Sequence, residues 1–205
     1  MTDYLVTGSA ARLSQLIDER TVPGADVKRI DRRIWDLFGE DWTVMFTDLA
    51  GFSRQTAAFG IVHFLQIIHE QKKLLLPIVS HHDGILLKTD ADSLLIVFRR
   101  SASAVRCAVQ MQHACQKVSD RRLPEEQILL CVGIGTGHVL RIGDHDVWGQ
   151  EVNAAAKLGE DTAKAHEILV TEAVRDACAD LDGVSFLDLG LAVAGSAQNY
   201  RVKYR

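Results

Sequence analysis

Two aspartates stand where apolar runs stop. Asp48 closes the run Val44-Met45-Phe46 and precedes Gly51, and Asp92 lies in the short turn between Ile-Leu-Leu-Lys-Thr (85–89) and Ser-Leu-Leu-Ile-Val-Phe (93–98). Acids at strand ends beside tight turns can converge on a hard cation, because Mg²⁺ takes oxygen ligands, usually one or two protein carboxylates with substrate phosphates. Turn aspartates also serve simply to bond their own backbone, so spacing alone leaves both readings open. The eight histidines form no rival set. His81 and His82 are adjacent, and His63, His69, His113, His138, His145 and His166 lack an HExxH or facial-triad spacing, which leaves surface or packing roles. Cys107, Cys115, Cys131 and Cys178 contain no CxxC pair and read as buried free thiols of a reducing compartment.

The elements that must position the two acids follow from periodicity. Residues 1–40 read as an N-terminal helical extension, two short helices broken at Val22-Pro23-Gly24. A strand opens at Trp42, and residues 41–205 read as one domain. Residues 54–80 carry Phe59, Phe64, Leu65, Ile68 and Leu75 at helical spacing, which predicts one long helix with Pro77 in its last turn. Asp83-Gly84 is a turn, and the runs around Asp90-Ala91-Asp92 are close enough to demand an antiparallel hairpin. A helix over 101–118, a strand from Ile128, and a Gly-punctuated stretch to Trp148-Gly149 come next. A helix from Val152, a strand, a helix and two closing strands complete an α+β domain with helices on a mostly antiparallel sheet.

With 205 residues, 47% of them apolar, the chain can bury one sizeable core. Its formal charge of −4 gives no electrostatic support for nucleic acid or a membrane surface as partner. Neither a basic n-region with an apolar stretch nor a run of about 18 apolar residues occurs, so a cytoplasmic protein is expected.

Four segments, in order, resemble the signatures of the class III adenylyl and guanylyl cyclases. They are Phe46–Phe52 (FTDLAGF), Asp83–Phe98 (DGILLKTDADSLLIVF), Val132–Leu140 (VGIGTGHVL) and Asp146–Leu158 (DVWGQEVNAAAKL). Any one alone is weak; four in order across 42–205 are not. The resemblance implies a ferredoxin-like βαββαβ core and an adenylate cyclase, converting ATP to cyclic AMP and pyrophosphate with two Mg²⁺ or Mn²⁺ ions per site. It assigns the metals to Asp48 and Asp92, with the backbone carbonyl of Leu49 as a further ligand. The loop Leu49, Ala50, Gly51 and Phe52 would bind phosphate. Lys88 and Asp146 would read adenine at N1 and N6, where the guanylyl type carries a glutamate and a small polar or thiol residue. Asn153 would position the ribose, with Lys157 at the phosphate where the family usually has arginine.

The chain departs from the pattern at several places. Ala91 replaces a hairpin glycine and Asp90 adds a third acid to the hairpin. Ala194 stands before Gly195 where a phosphate-binding lysine is usual, with Arg141, Arg201 and Lys203 as candidate substitutes. The family's sites are shared between two protomers, and since this chain carries both residue sets it implies a symmetric homodimer. Two alternatives stay open: a catalytically weak nucleotide-binding or regulatory module, and a cyclase for GTP or a pyrimidine triphosphate.

Overall fold

The computed structural model describes residues 8–204, without the side chains of residues 52–55. Its centre is the expected βαββαβ core. Strand β1 (Gly39–Leu49) leads through helices α3 (Phe52–Phe59) and α4 (Ile61–His81) into the hairpin β2 (Ile85–Asp90) and β3 (Ser93–Phe98), then α5 (Ser101–Ser119) and β4 (Leu130–Ile142). Beyond it come β5 (Asp146–Trp148), α6 (Gln150–Ala156), β6 (Ile168–Thr171), α7 (Glu172–Ala177), β7 (Val184–Asp188) and β8 (Asn199–Tyr204). The sheet runs β2-β3-β1-β4-β6-β8-β7, with β5 paired only to β4. The β4–β6 pair is parallel and the other pairs are antiparallel.

Side-chain alternation sorts the core into two layers. Met45, Leu94, Ile96 and Phe98 face α4 and α5 in the larger cluster, whereas Val44, Leu95 and Val97 face α6 in a smaller one with Val152 and Ala155. Phe46 packs on the smaller cluster. Asp48, two residues on, therefore points to the α6 side of the sheet.

Helix α6 lies unusually close to β4, and the glycines of the GIGTG run explain it. A Cβ on Gly133 would sit 2.1 Å from the Ala155 carbonyl oxygen, and one on Gly135 2.5 Å from that of Glu151. The strand expected from Ile128 thus begins at Leu130 and runs through the Gly-punctuated stretch as far as Ile142. The single helix predicted over 54–80 is corrected: Gly60, with φ 86°, divides α3 from α4, a left-handed conformation that helices do not carry. Strand β1 begins at Gly39, ahead of Trp42, because the extended β4 pairs Gly39, Glu40 and Asp41 with Leu140, Val139 and His138.

The N-terminal helices α1 (Ser9–Thr21) and α2 (Val27–Phe38) flank the expected Val22-Pro23-Gly24 break. Leu16, Ile30, Ile34 and Phe38 bury against Ile142 at the far end of β4, forming a third small cluster. The ion pairs Arg20–Asp31 at 2.7 Å and Arg33–Glu19 at 2.6 Å join the two helices. No helix among the described residues is long and apolar enough to cross a membrane.

Candidate active site

The β2–β3 hairpin places its polar residues by a local irregularity. A bulge between Leu86 and Lys88 shifts the register, so that Lys88 faces Leu95 and Asp90 faces Ser93. Directly opposed residues share a face, and a one-residue shift exchanges faces. The bulge therefore turns Lys88 and Asp90 toward α6. The turn between the strands contains Ala91 at φ 47°, so the position does need the left-handed conformation that the usual glycine supplies without strain. That conformation costs a non-glycine residue about 1–2 kcal/mol.

On this face a cavity of about 250 Å³ is lined by Lys88, Asp90, Ser93, Asp146, Asn153 and Glu160, with Phe46, Leu95, Val147, Trp148 and Val152 as its apolar walls. Lys88 Nζ lies 3.7 Å from Asp146 Oδ2. Asp146 is fixed locally, since the Val147 N–H donates to its Oδ1 at 3.0 Å. Asn153 comes to the same cavity from α6. The structure thus gathers three of the residues read from sequence, contributed by β2, β5 and α6, around one apolar slot that also presents an indole.

Lys157 is not part of that lining. At Lys157 the helix loosens into wider turns running to Thr162, and the Lys157 ammonium bonds Asp161 at 2.6 Å on the surface, which raises its pKa. Ala194 is exposed in a turn closed by the Val193–Ser196 bridge. The candidate substitutes for the missing lysine are engaged elsewhere. Arg141 bonds Gly143 and Asp144 and stacks on Trp42, Arg201 pairs with Glu167, and Lys203 lines a separate groove on β7 and β8.

The metal candidates form a close carboxyl pair. Burial first, and then the charge of Asp92, push the Asp48 carboxyl up to about 7, while the Leu49 N–H donates to it and acts in the opposite direction. Asp92 is 6% exposed and its Oδ2 has no hydrogen-bond partner outside the pair. Its backbone carbonyl accepts from Gln71 Nε2 at 3.0 Å, which anchors the turn from below. Two crowded carboxyls that hydrogen-bond each other through a shared proton, with no other group to satisfy the buried Asp92 Oδ2, fit a divalent cation that would take that proton's place. No group of three or more His, Cys, Asp or Glu among the described residues is arranged to hold a metal. The remaining ligands would therefore be backbone carbonyls, substrate phosphates and water. In the adjoining loop Ala50 N donates to the Leu129 carbonyl at 2.9 Å, and Gly51, at φ 94°, caps α3. Phe52 opens that helix; its side chain lies outside those described.

Sequence reasoning missed Ser93 and Glu160. Ser93 Oγ donates to Asp48 Oδ1 at 3.4 Å and also bonds the Glu160 carboxylate, whose pKa is raised chiefly by burial and next by Asp161. Glu160 carries no spacing signal, because the loosened turns after Ala156 break the helical phase. The four cysteines are buried and free, and burial pushes the Cys107, Cys115 and Cys131 thiols up to about 12. That removes them from thiolate chemistry.

Comparison with known proteins bears on this geometry. Residues 39–190 match the family described as the adenylate and guanylate cyclase catalytic domain. The chain is 32% identical over 136 residues to the serine/threonine-protein kinase pkn2 of Myxococcus xanthus, covering 66% of this chain and 16% of that protein. It is 28% identical over 148 residues to putative adenylate cyclase 3 of Rhizobium meliloti (strain 1021), covering 72% and 25%. The chain thus spans no more than a quarter of the length of these two relatives. Among solved structures, the adenylate/guanylate cyclase/hydrolase from Silicibacter pomeroyi superposes with a TM-score of 0.70 at 26% identity, covering 80% of this chain and 95% of that one. The adenylyl cyclase CyaB from P. aeruginosa gives 0.69 at 22% identity, with 82% and 95% covered, a likeness of fold.

Proposed function

The chain belongs to the adenylate and guanylate cyclase catalytic domain family, and on that footing we propose that it converts ATP to 3′,5′-cyclic AMP and pyrophosphate at sites shared between two copies of the chain. The observation that carries the choice of ATP is the pairing of Lys88 with Asp146 across the cavity that Asn153 also lines. An ammonium donates and a carboxylate accepts, which matches adenine N1 and its N6 amine; guanine presents the reverse at both places.

The base slides between the apolar walls, where Lys88 and Asp146 fix its edge. Asn153 holds the ribose so that its 3′-oxygen lies in line with the α-phosphorus. The O3′–Pα bond forms as the bond from Pα to the bridging oxygen breaks, and the hydroxyl proton passes to water as pyrophosphate leaves. Positioning of this kind supplies much of the acceleration in phosphoryl transfer. Asp48 and Asp92 would hold the Mg²⁺ or Mn²⁺ ions, with the Leu49 carbonyl as an added ligand. When bound, such ions lower the pKa of the 3′-hydroxyl and neutralise the leaving group. Lys157, once released from Asp161, would contribute a point charge to the phosphates in place of the planar fork of arginine.

A symmetric homodimer would supply the metal pair of one copy to the base pocket of the other. Mixing Asp48→Ala chains with Lys88→Ala chains tests this. Asp48→Ala alone is inactive and Lys88→Ala alone is weak with ATP, and the mixture rises above both through the heterodimer's one intact site; no gain over the separate variants sinks the shared-site reading.

A second reading, a weakly catalytic nucleotide-binding module, draws support from the cavity's charge. Lys88 faces Asp90, Asp146 and Glu160 there, while Lys157 is tied to Asp161 and Ala194 supplies no cation. Nucleotide binding without product distinguishes this reading from the first.

A further inference from the structure

Strand β5 stands between two cavities. One is the proposed base pocket; the other, of about 470 Å³, is walled by α1 residues including Leu13 and Ile17 and by Ile142, and Asp146 and Trp148 belong to both linings. The strand is three residues long and pairs with β4 alone, so its ladder holds it weakly and packing decides where it sits. That packing comes from two sides: Val147 is buried in the α6-side cluster with Val139 and Val152, while α1 acts through the neighbouring end of β4. Leu16 is fully buried and shares a cluster with Ile142. Ile142 is the direct ladder partner of Asp146, and directly opposed residues share a face with Cβ atoms about 5 Å apart. The turn between them touches the same helix, since a Cβ on Gly143 would lie 3.7 Å from Ser9 Oγ.

We infer that Leu16 and Ile142 are positioning residues for Asp146. Helix α1, seated through Leu16 on Ile142, sets the height at which β5 presents the carboxylate opposite Lys88, so a shift of α1 changes base selection. This rests on the reading of Asp146 as a base-recognising residue. It adds that the selecting element is held from outside the nucleotide pocket, by the N-terminal helices.

Two measurements test it together: hydrogen exchange at the amides of residues 146–148, and the ratio of kcat/KM for ATP to that for GTP. Leu16→Ala speeds exchange there by about tenfold and lowers the ratio by about fivefold, through KM and not kcat. Leu16→Met restores both. If Leu16→Ala detaches α1 altogether, Ala10→Leu still decides the matter. It adds apolar volume to the second cavity at an exposed position and slows exchange in the same segment. Unchanged exchange at 146–148 in both variants overturns the inference, as does a fall in kcat with an unchanged ATP-to-GTP ratio. A wild-type chain that binds neither nucleotide defeats the base-site reading instead, and the exchange result then judges the α1–β5 coupling by itself.

Discussion

Lys88 Nζ and Asp146 Oδ2 face each other at 3.7 Å across the cavity, so the two groups that would grip the edge of a purine are already convergent. The pair is largely exposed on the lysine side, where an ion pair adds at most about 1 kcal/mol. A base can part them at little cost.

Exchanging the two polarities should exchange the base. Lys88→Glu with Asp146→Ser is expected to lower kcat/KM for ATP by about tenfold to a hundredfold, the worth of a hydrogen bond to a charged group, and to raise that for GTP relative to wild type. Steady-state rates with both nucleotides check this, and an unchanged preference removes Lys88 and Asp146 from base selection.

The Asp48 carboxyl makes stability depend on pH. It ionises near 3.8 in the unfolded chain and at about 7 in the folded one, so between these values the folded state holds a proton that the unfolded state lacks. Its contribution is complete below about pH 4 and is lost as pH rises through about 7. Discounted for partial exposure, the loss is about 1–2 kcal/mol. Urea denaturation with a chelator at pH 5.5 and 8 should show about half of this loss in wild type and none in Asp48→Asn. Saturating Mn²⁺, which favours the carboxylate, should restore wild-type stability at pH 8.

Lys157 is held by Asp161 at 2.6 Å, both side chains more than half exposed. Asp161→Asn frees the ammonium and should raise turnover by up to about fivefold, the limit set by an exposed pair. Lys157→Arg should raise it as well, by restoring bidentate geometry at the phosphates. Turnover unchanged in both variants separates Lys157 from the reaction.

How much of this could be read in advance differs from element to element. The strand alternation of Val44, Met45 and Phe46 announces a two-sided sheet, and the hairpin around Asp92 follows from its length alone. Gly60 was hidden, because apolar residues at helical spacing continue on both sides of it. Gly133 and Gly135 fall within the strand read from Ile128, but the reason for glycine there is tertiary: they let α6 lie on β4, a contact that no local pattern records. Lys88 and Asp146 were legible through resemblance; that Lys88 reaches the pocket face depends on a bulge that leaves no mark in composition. Ser93 and Glu160 join the site only through tertiary packing and a loosened helical turn.

Cyclisation of ATP at the Asp48–Asp92 metal pair is decided by product analysis, with each of the four nucleoside triphosphates supplied with Mg²⁺ and then Mn²⁺ and Asp48→Ala as control. Cyclic AMP and pyrophosphate are expected from ATP in preference to the others, only with a divalent cation, with a loss of at least about a hundredfold in the control. Product from UTP, CTP or GTP in preference to ATP, or undiminished product from Asp48→Ala, would contradict that assignment.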